Sequence, residues 1–600
     1  MEERLRSAPV KPAVDLEASR DKRVQVSVRL RADGVADKLV RRRTLGPDEV
    51  RSGDNHTPST PAQTSWLRLG AGDAAQLEKY RQTVDEAQAY YAQLRKLCPT
   101  EERGFDVPAE DQVALCELLL QLCAWLKTSR TAHSLFMDYG GGARILSCMC
   151  IQNLNDGMIL RHVLSLLDFL TSVESAYATV FIKANALKVL FTFVSQAIEQ
   201  TFATHMMLHI MANIVSDSAA GRDQLLALQA SNGATLLDIA TLYLTREELQ
   251  TTEIVRGCAH LFNAITCTRP PLPGGTVAWL ADVIIGPASP GLIFSGDAEV
   301  VCDAVIALNN LVSCGSDDGT TAHLVIERIQ PEILHRAVTI LMQPSPADMD
   351  DDMHPATQTA CLGVLSAIIS RTPAFTIPLI QDCGLLAALC NLLTVYDPSL
   401  NEKALFIISN ICVESTDRLQ GLLGAGVFDW VDRVACRTQF NVRQETCILY
   451  CQALKVATID HVSALLAHCG TIFDAIVSVL PFTNNDNKFM IMWMIERFLA
   501  FGESSDPNPV VALCMPLVPT LLDISASKEA TARVNALADD ILTQYLGQGD
   551  DSDYAADAGA VRFTLPASVP DESDMAYEMD KFMTSLSTFG RETQPRGETD

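Results

Sequence analysis

The sequence predicts an all-helical chain of stacked repeats, and three observations carry that prediction. The body is rich in helix-forming residues, glycine-bearing breaks recur at a near-constant interval, and side-chain amides recur at almost the same interval. Between about residues 76 and 548, apolar blocks such as Val113 to Leu126 and Leu385 to Leu393 alternate with short breaks. These blocks are dense in Leu, Ala and Cys, and the period-two alternation of a half-buried strand is rare among them. The breaks Asp382-Cys383-Gly384, Gly424-Ala425-Gly426 and His468-Cys469-Gly470 each open an apolar helix, with their last residues 42 and 44 apart. Asn410 and Gln452 are also 42 apart, and Asn213, Asn263 and Asn310 are separated by 50 and 47.

A helical period of ~40–47 residues is that of armadillo and HEAT repeats. Such units bury their apolar faces only against neighbours, so the expected architecture is an all-α, armadillo-repeat, right-handed superhelical solenoid. The length agrees, because a chain of 600 residues is well beyond the ~300 at which one hydrophobic core stops growing. The expected organisation is a basic arm (1–45), a linker rich in Gly, Pro, Ser, Thr and Asp (46–75), the solenoid (76–548) and an acidic tail (549–600). The linker holds two Thr-Pro pairs, at Thr57 and Thr60, that read as plain linker or as phosphorylation sites.

Charge divides along the same boundaries. The formal net charge is −27, yet residues 1–45 carry twelve bases against seven acids. Residues 550–600 carry twelve acids against four bases, which leaves −24 on the body. An acidic body is a poor nucleic-acid binder and a good partner for basic segments, its own arm included.

Eighteen cysteines are scattered beside apolar residues, as in Leu115-Cys116 and Leu389-Cys390, without a CxxC. They read as buried reduced thiols of the cytosol or nucleus, with no metal cluster. No uninterrupted run of 18 apolar residues occurs and Met1 to Lys11 lacks a signal-peptide core, so neither a membrane span nor secretion is expected. No P-loop, GxSxG elbow or dinucleotide fingerprint is visible, and Gly140-Gly141-Gly142 reads as a break between helices. His205 and His209 have the spacing of a zinc-protease motif, but Met206 stands where its glutamate belongs. Catalysis, a metal and a cofactor are all unexpected.

Two sets of residues stand out: the arm from Arg20 to Arg31 followed by Lys38-Leu39-Val40-Arg41-Arg42-Arg43, with Arg4-Leu5-Arg6 fitting the same pattern, and, in the body, Ala212 to Asp217 with Arg222-Asp223, Phe262-Asn263, Ser409-Asn410-Ile411, and Glu445 to Gln452. In these the chain resembles the importin-α family of nuclear-import adaptors, the first set resembling that family's importin-β-binding segment and the second its groove helices. The resemblance implies a shuttling adaptor of cytoplasm and nucleus. Basic nuclear-localisation signals would lie in its groove, importin-β would bind Arg20, Lys22, Arg23, Arg29, Arg31, Lys38, Arg41, Arg42 and Arg43, and an export receptor would recycle it. It further implies that the arm can occupy the groove as an autoinhibitor. By local pattern alone, Val24, Val26, Val28 and Leu30 alternate as in a strand, and a generic nucleic-acid tail also fits the arm.

A groove that reads a Lys/Arg-rich extended peptide needs amides for the peptide backbone, carboxylates for its cations and aromatic walls for their stems. The resemblance assigns His209, Asn213, Asp217, Asn263 and Asn310 to the major site, and Phe406, Asn410, Glu445 and Gln452 to the minor site. Four residues before each amide, where the family has Trp, stand His209, Ala259, Ile306, Phe406 and Ile448. Lys403 occupies the place of one acid, and the helix around Asp168-Phe169 lacks its Asn. Each residue also has a plainer role open to it: an Asn in an apolar helix can bridge a neighbouring helix, and Asp217 can be a turn residue. An armadillo scaffold unrelated to import is the alternative reading.

Overall fold

The computed structural model describes residues 74–547, apart from 99–107, 150–156, 197–200, 287–290, 314–319, 344–352, 438, 468–470 and 504–507. The basic arm, the linker up to residue 73 and the acidic tail lie outside the described residues, as do Thr57, Thr60 and the break at Gly470, while Ala74 and Ala75, expected in the linker, open the first described helix. The described chain is helical, with a single isolated β-bridge between Gln229 and Thr235, and it forms two compact units that divide between Arg328 and Ile329.

In the first unit the helix α1 (Ala74–Leu97) is followed by a ladder of long helices: α2 (Ala109–Leu126), α3 (Gly157–Val173), α4 (Thr201–Ser216), α5 (Thr252–Cys267) and α6 (Ala298–Ser313). Each packs on the next in the ladder. The second unit repeats the scheme with α7 (Met353–Arg371), α8 (Pro398–Cys412), α9 (Phe440–Val456), α10 (Asn485–Gly502) and α11 (Ala532–Gln544). Two short helices connect most successive rungs, for example Arg130–Asp138 with Gly141–Cys148, and Thr416–Gly424 with Val427–Ala435.

The punctuation between these helices is legible residue by residue. Ser129, Ser218 and Ser415 each start the first short helix, their hydroxyls accepting from the amides of Ala132 (3.2 Å), Gly221 (3.1 Å) and Arg418 (3.3 Å). The bend to the second short helix requires a left-handed residue. Gly140 (φ 85°), Asn185 (φ 59°), Gly384 (φ 73°) and Gly426 (φ 71°) supply it.

Side-chain hydrogen bonds show how the repeats hold one another. Arg222, 1% exposed, donates to the carbonyls of Thr268 and Pro270, both at 2.7 Å. Tyr243 donates to the Val194 carbonyl at 3.0 Å, Arg437 to that of Leu393 at 2.8 Å, and Thr416 to that of Val456 at 3.1 Å. These partners are 40 to 49 residues apart in sequence, the interval of one repeat, as expected where each unit meets only its neighbours. The described cysteines are all free, and most are buried among the apolar side chains.

One stretch differs from the sequence expectation. Pro509–Ala526 has a mean hydropathy of 1.7 and is long and apolar enough to cross a membrane by length and composition. It contains Asp523, is broken by a 3-10 turn at Met515–Leu517, and packs against α10 and α11.

Two predictions follow from this packing. Cβ would meet nothing within 4 Å at Gly384, so only its backbone conformation constrains the site. Gly384→Ala should cost ~1–2 kcal/mol in urea unfolding, and Gly384→Asn less, because Asn185 already serves at the equivalent bend. Asp432, on the helix Val427–Ala435, is pushed up to about 7 by burial; a hydrogen bond from Tyr450 (3.1 Å) works against that and Asp429 adds to it. Because the folded value exceeds the unfolded one, the native state binds this proton more tightly, and stability falls as pH rises from ~4 to ~7. Asp432→Asn keeps an oxygen for Tyr450; it should melt ~2–4 °C higher than wild type at about pH 8 and equally at about pH 4.

Candidate functional site

The amides singled out from the sequence lie on consecutive rungs, and in the first unit the structure links them into one polar line. Asp168 of α3 accepts from His209 Nδ1 at 2.7 Å and from Asn213 Nδ2 at 3.2 Å, both of α4. The His209 ring stacks on that of His260 of α5, with centroids 4.5 Å apart and planes 20° from parallel. His260 Nδ1 lies 3.4 Å from Asp303 of α6, and the same carboxylate accepts from Asn263 Nδ2 at 2.6 Å. The line continues from Asn310 Nδ2 to Cys267 Sγ (3.4 Å) and from Cys267 Sγ to Asn263 Oδ1 (3.4 Å).

This line is reachable from solvent at its carboxylates and imidazoles: the side chains of His209, Asp168, His260 and Asp303 are 34%, 29%, 14% and 20% exposed. The amides are deeper. Asn213 and Asn263 are buried, and Asn213 Oδ1 has no hydrogen-bond partner among the described residues. Asn213 also reaches Thr171 Oγ1 at 3.4 Å, and Asn310 reaches Thr266 Oγ1 at 3.3 Å. All three amides therefore bridge neighbouring rungs. A buried side-chain amide without such a partner would cost ~1–3 kcal/mol, which is why the rungs carry hydroxyls and carboxylates opposite them.

The surroundings carry an excess of acid. Arg256 is taken by Asp297 (2.7 Å) and Glu299 (2.9 Å), and Arg161 lies over the Phe202 ring at 4.7 Å. Asp217 sits exposed in the turn that follows α4, and Glu253 at the start of α5 is also exposed. His205, one turn before His209, is held below the usual histidine range by burial first and by His209 second, so near neutrality it adds no positive charge.

The second unit is more closed. Phe406, Asn410, Glu445 and Gln452 are all more than nine-tenths buried. Ser409 Oγ, Asn410 Nδ2 and Gln452 Oε1, on the adjacent rungs α8 and α9, have no hydrogen-bond partner among the described residues. Lys403 of α8 is buried and donates to the Thr359 carbonyl at 3.4 Å.

Several residues were missed in the sequence. Asp168 fills the slot that seemed empty for want of Asn; its signal is the 41-residue spacing to His209. His260 and Asp303 flank Asn263 in space and gave no local signal. Phe202 stands on the same stripe of α4 as His205 and His209 and already holds a guanidinium. On α10, Trp493 precedes Arg497 by four residues, with that guanidinium 5.2 Å over its ring, so the spacing of Phe406–Asn410 and Ile448–Gln452 recurs one rung on. Ala259, Ile306 and Ile448, at the positions of the expected aromatic wall, are buried in the packing. Arg222 and Asp223, part of the resemblance, form a hydrogen-bonded pair, and Arg222 clamps the Thr268–Pro270 backbone. No group of three or more His, Cys, Asp or Glu able to hold a metal occurs among the described residues.

Known proteins match at the level of this architecture. An engineered protein of known structure superposes with a TM-score of 0.55 at 15% identity, over 75% of this chain and 98% of its own. A designed armadillo repeat protein aligns over 46% of this chain and all of its own, with a TM-score of 0.34 and 15% identity. Within each of the two units the fold is that of stacked helical repeats, the architecture expected of an armadillo-type solenoid. Importin subunit alpha-1 of Caenorhabditis elegans is 33% identical over 150 residues, 24% of this chain and 28% of that protein. The match thus spans little more than a quarter of that relative's length, and no protein-family model matches the chain.

The bridging geometry has a measurable consequence. Asp303→Ala leaves the Asn263 amide and the His260 imidazole without their carboxylate and should cost ~1–3 kcal/mol in urea unfolding. A loss within ~0.5 kcal/mol, the level of an ordinary surface substitution, would mean that the line is not structural.

Proposed function

We propose that this chain is a non-catalytic adaptor that holds a basic, extended peptide segment on its long helices, of the nuclear-import kind, with importin-β taken by residues 1–45. The observation that carries the reading is the solvent-reachable line of Asp168, His209, His260 and Asp303 across four consecutive rungs. Rungs pack ~8–10 Å apart, and an extended peptide advances ~3.3 Å per residue. A segment of about nine residues would therefore cross α3 to α6, presenting a cation to each carboxylate and backbone groups to the amides. The acidic excess of the body favours a Lys/Arg-rich ligand over nucleic acid, and the partial likeness to importin subunit alpha-1 supports the same class of ligand. In this reading the protein shuttles between cytoplasm and nucleus, and an export receptor returns it.

A second reading is favoured by one specific observation. The amides of Asn213, Asn263 and Asn310 already serve the packing of neighbouring rungs, and Ala259, Ile306 and Ile448 replace the stem-gripping rings. Both features suit a scaffold that kept the fold and binds a partner elsewhere.

The arm separates the two. The full chain should retain importin-β in a pull-down, and replacing Arg41, Arg42 and Arg43 by Ala should weaken that retention while tightening a basic nuclear-localisation peptide by threefold or more. A full chain that retains no importin-β and binds no basic peptide in either form belongs to the scaffold reading.

A further inference from the structure

Two thiols meet where the first helix of the solenoid ends. Cys98 follows the last turn of α1, its N–H bonded to the Leu94 carbonyl at 2.9 Å. Cys148 closes the short helix Gly141–Cys148, and its sulfur lies 3.4 Å from that of Cys98. Arg144, one turn earlier on that helix, is nearly buried and donates through Nη1 to the Cys98 carbonyl at 3.0 Å. Two buried sulfurs and a nearly buried guanidinium thus lie together at the end of α1.

That site differs from the surroundings of five other buried cysteines. Burial pushes Cys258, Cys412 and Cys514 up to about 12, and it also raises Cys390 and Cys447. Cys98 goes the other way: its hydrogen bond with the Cys148 sulfur lowers it, burial opposes, and the Arg144 charge lowers it further. A thiolate stabilised by a neighbouring thiol and a cation is the nucleophilic form of cysteine, and a second thiol within reach is what resolves its first oxidation product.

We propose that Cys98 and Cys148 are a dithiol which hydroperoxides convert into a cystine, fastening the end of α1 to the helix Gly141–Cys148. The Cys98 thiolate attacks a peroxide oxygen, the O–O bond breaks, and the departing hydroxide takes up the proton that Cys98 lost on ionising and leaves as water, giving a sulfenic acid on Cys98. The Cys148 sulfur then attacks the Cys98 sulfur, the S–O bond breaks, and the second oxygen leaves as water with the Cys148 proton. The two thiols together lose two electrons, and one hydrogen peroxide is reduced to two waters. The sulfurs must close from 3.4 Å to ~2.05 Å, a movement that a residue beyond the last turn of its helix can absorb. Opening of that same terminal turn lets the oxidant in.

The reaction is independent of any ligand of the long helices. Reduced full-length protein is treated with a small molar excess of hydrogen peroxide near neutral pH, blocked with N-ethylmaleimide and mapped by peptide mass spectrometry. A peptide joined through Cys98 and Cys148 is expected, two hydrogens lighter than its parts, and backbone hydrogen exchange in residues 80–98 should slow severalfold. Cys148→Ser should leave a sulfenic acid on Cys98 that dimedone traps, and Cys98→Ser should give no link. The proposal is overturned if Cys98 stays reduced while the exposed Cys436 is oxidised, or if fragmentation places the link at Cys150 rather than Cys148. The wild-type map decides the matter even if a variant fails to fold.

Discussion

The structure depends on one constraint: a repeat of about 45 residues is too small to bury its own apolar faces, so every rung must be completed by the next. The apolar blocks, the serine caps and the left-handed bends all serve that requirement, because they return the chain to the ladder at the right place. Arg222 and Arg437 show the same constraint in polar form. Each reaches one repeat away to satisfy backbone carbonyls that would otherwise end in a dry interface.

Polar residues on the rungs inherit the constraint and gain a second use from it. Asn213 and Asn263 are inside the packing, so they need partners, and the partners available are Asp168 and Asp303 on the adjacent rungs. Those carboxylates lie nearer the surface and draw in His209 and His260, whose rings meet between α4 and α5. The result is a line of groups whose inner ends stabilise the stack and whose outer ends remain open to a ligand. In the second unit the balance differs: Asn410 and Gln452 are buried with atoms unmet, and Lys403 stands where a carboxylate would have made the face acidic.

Much of this was legible before the fold was known, where the signal is local. The bends at Gly384 and Gly426 are written in a residue that tolerates a positive φ, and the helix after Gly384 opens with the unbroken apolar run Leu385 to Cys390. The amide spacing placed Asn213, Asn263 and Asn310 on successive rungs. What the sequence hid were partners brought together across a whole repeat. Asp168 was passed over because an amide was sought there, and the His209–His260 stack depends on two residues 51 positions apart whose alignment is set by loops of unequal length. Asn185 does at one bend what glycine does at three others, so a search for glycine alone misses it. The two-thiol site was likewise invisible, since Cys98 and Cys148 are 50 residues apart and neither belongs to a motif.

The central claim is that the open ends of the polar line receive a basic extended segment. Hydrogen exchange of the full chain, followed by mass spectrometry with and without a saturating Lys/Arg-rich peptide, tests it most directly. The account predicts added protection concentrated in α3, α4, α5 and α6, and its disappearance when Asp168 and Asp303 are both changed to Lys. Protection confined to the short connecting helices, or unchanged by those two substitutions, would contradict it.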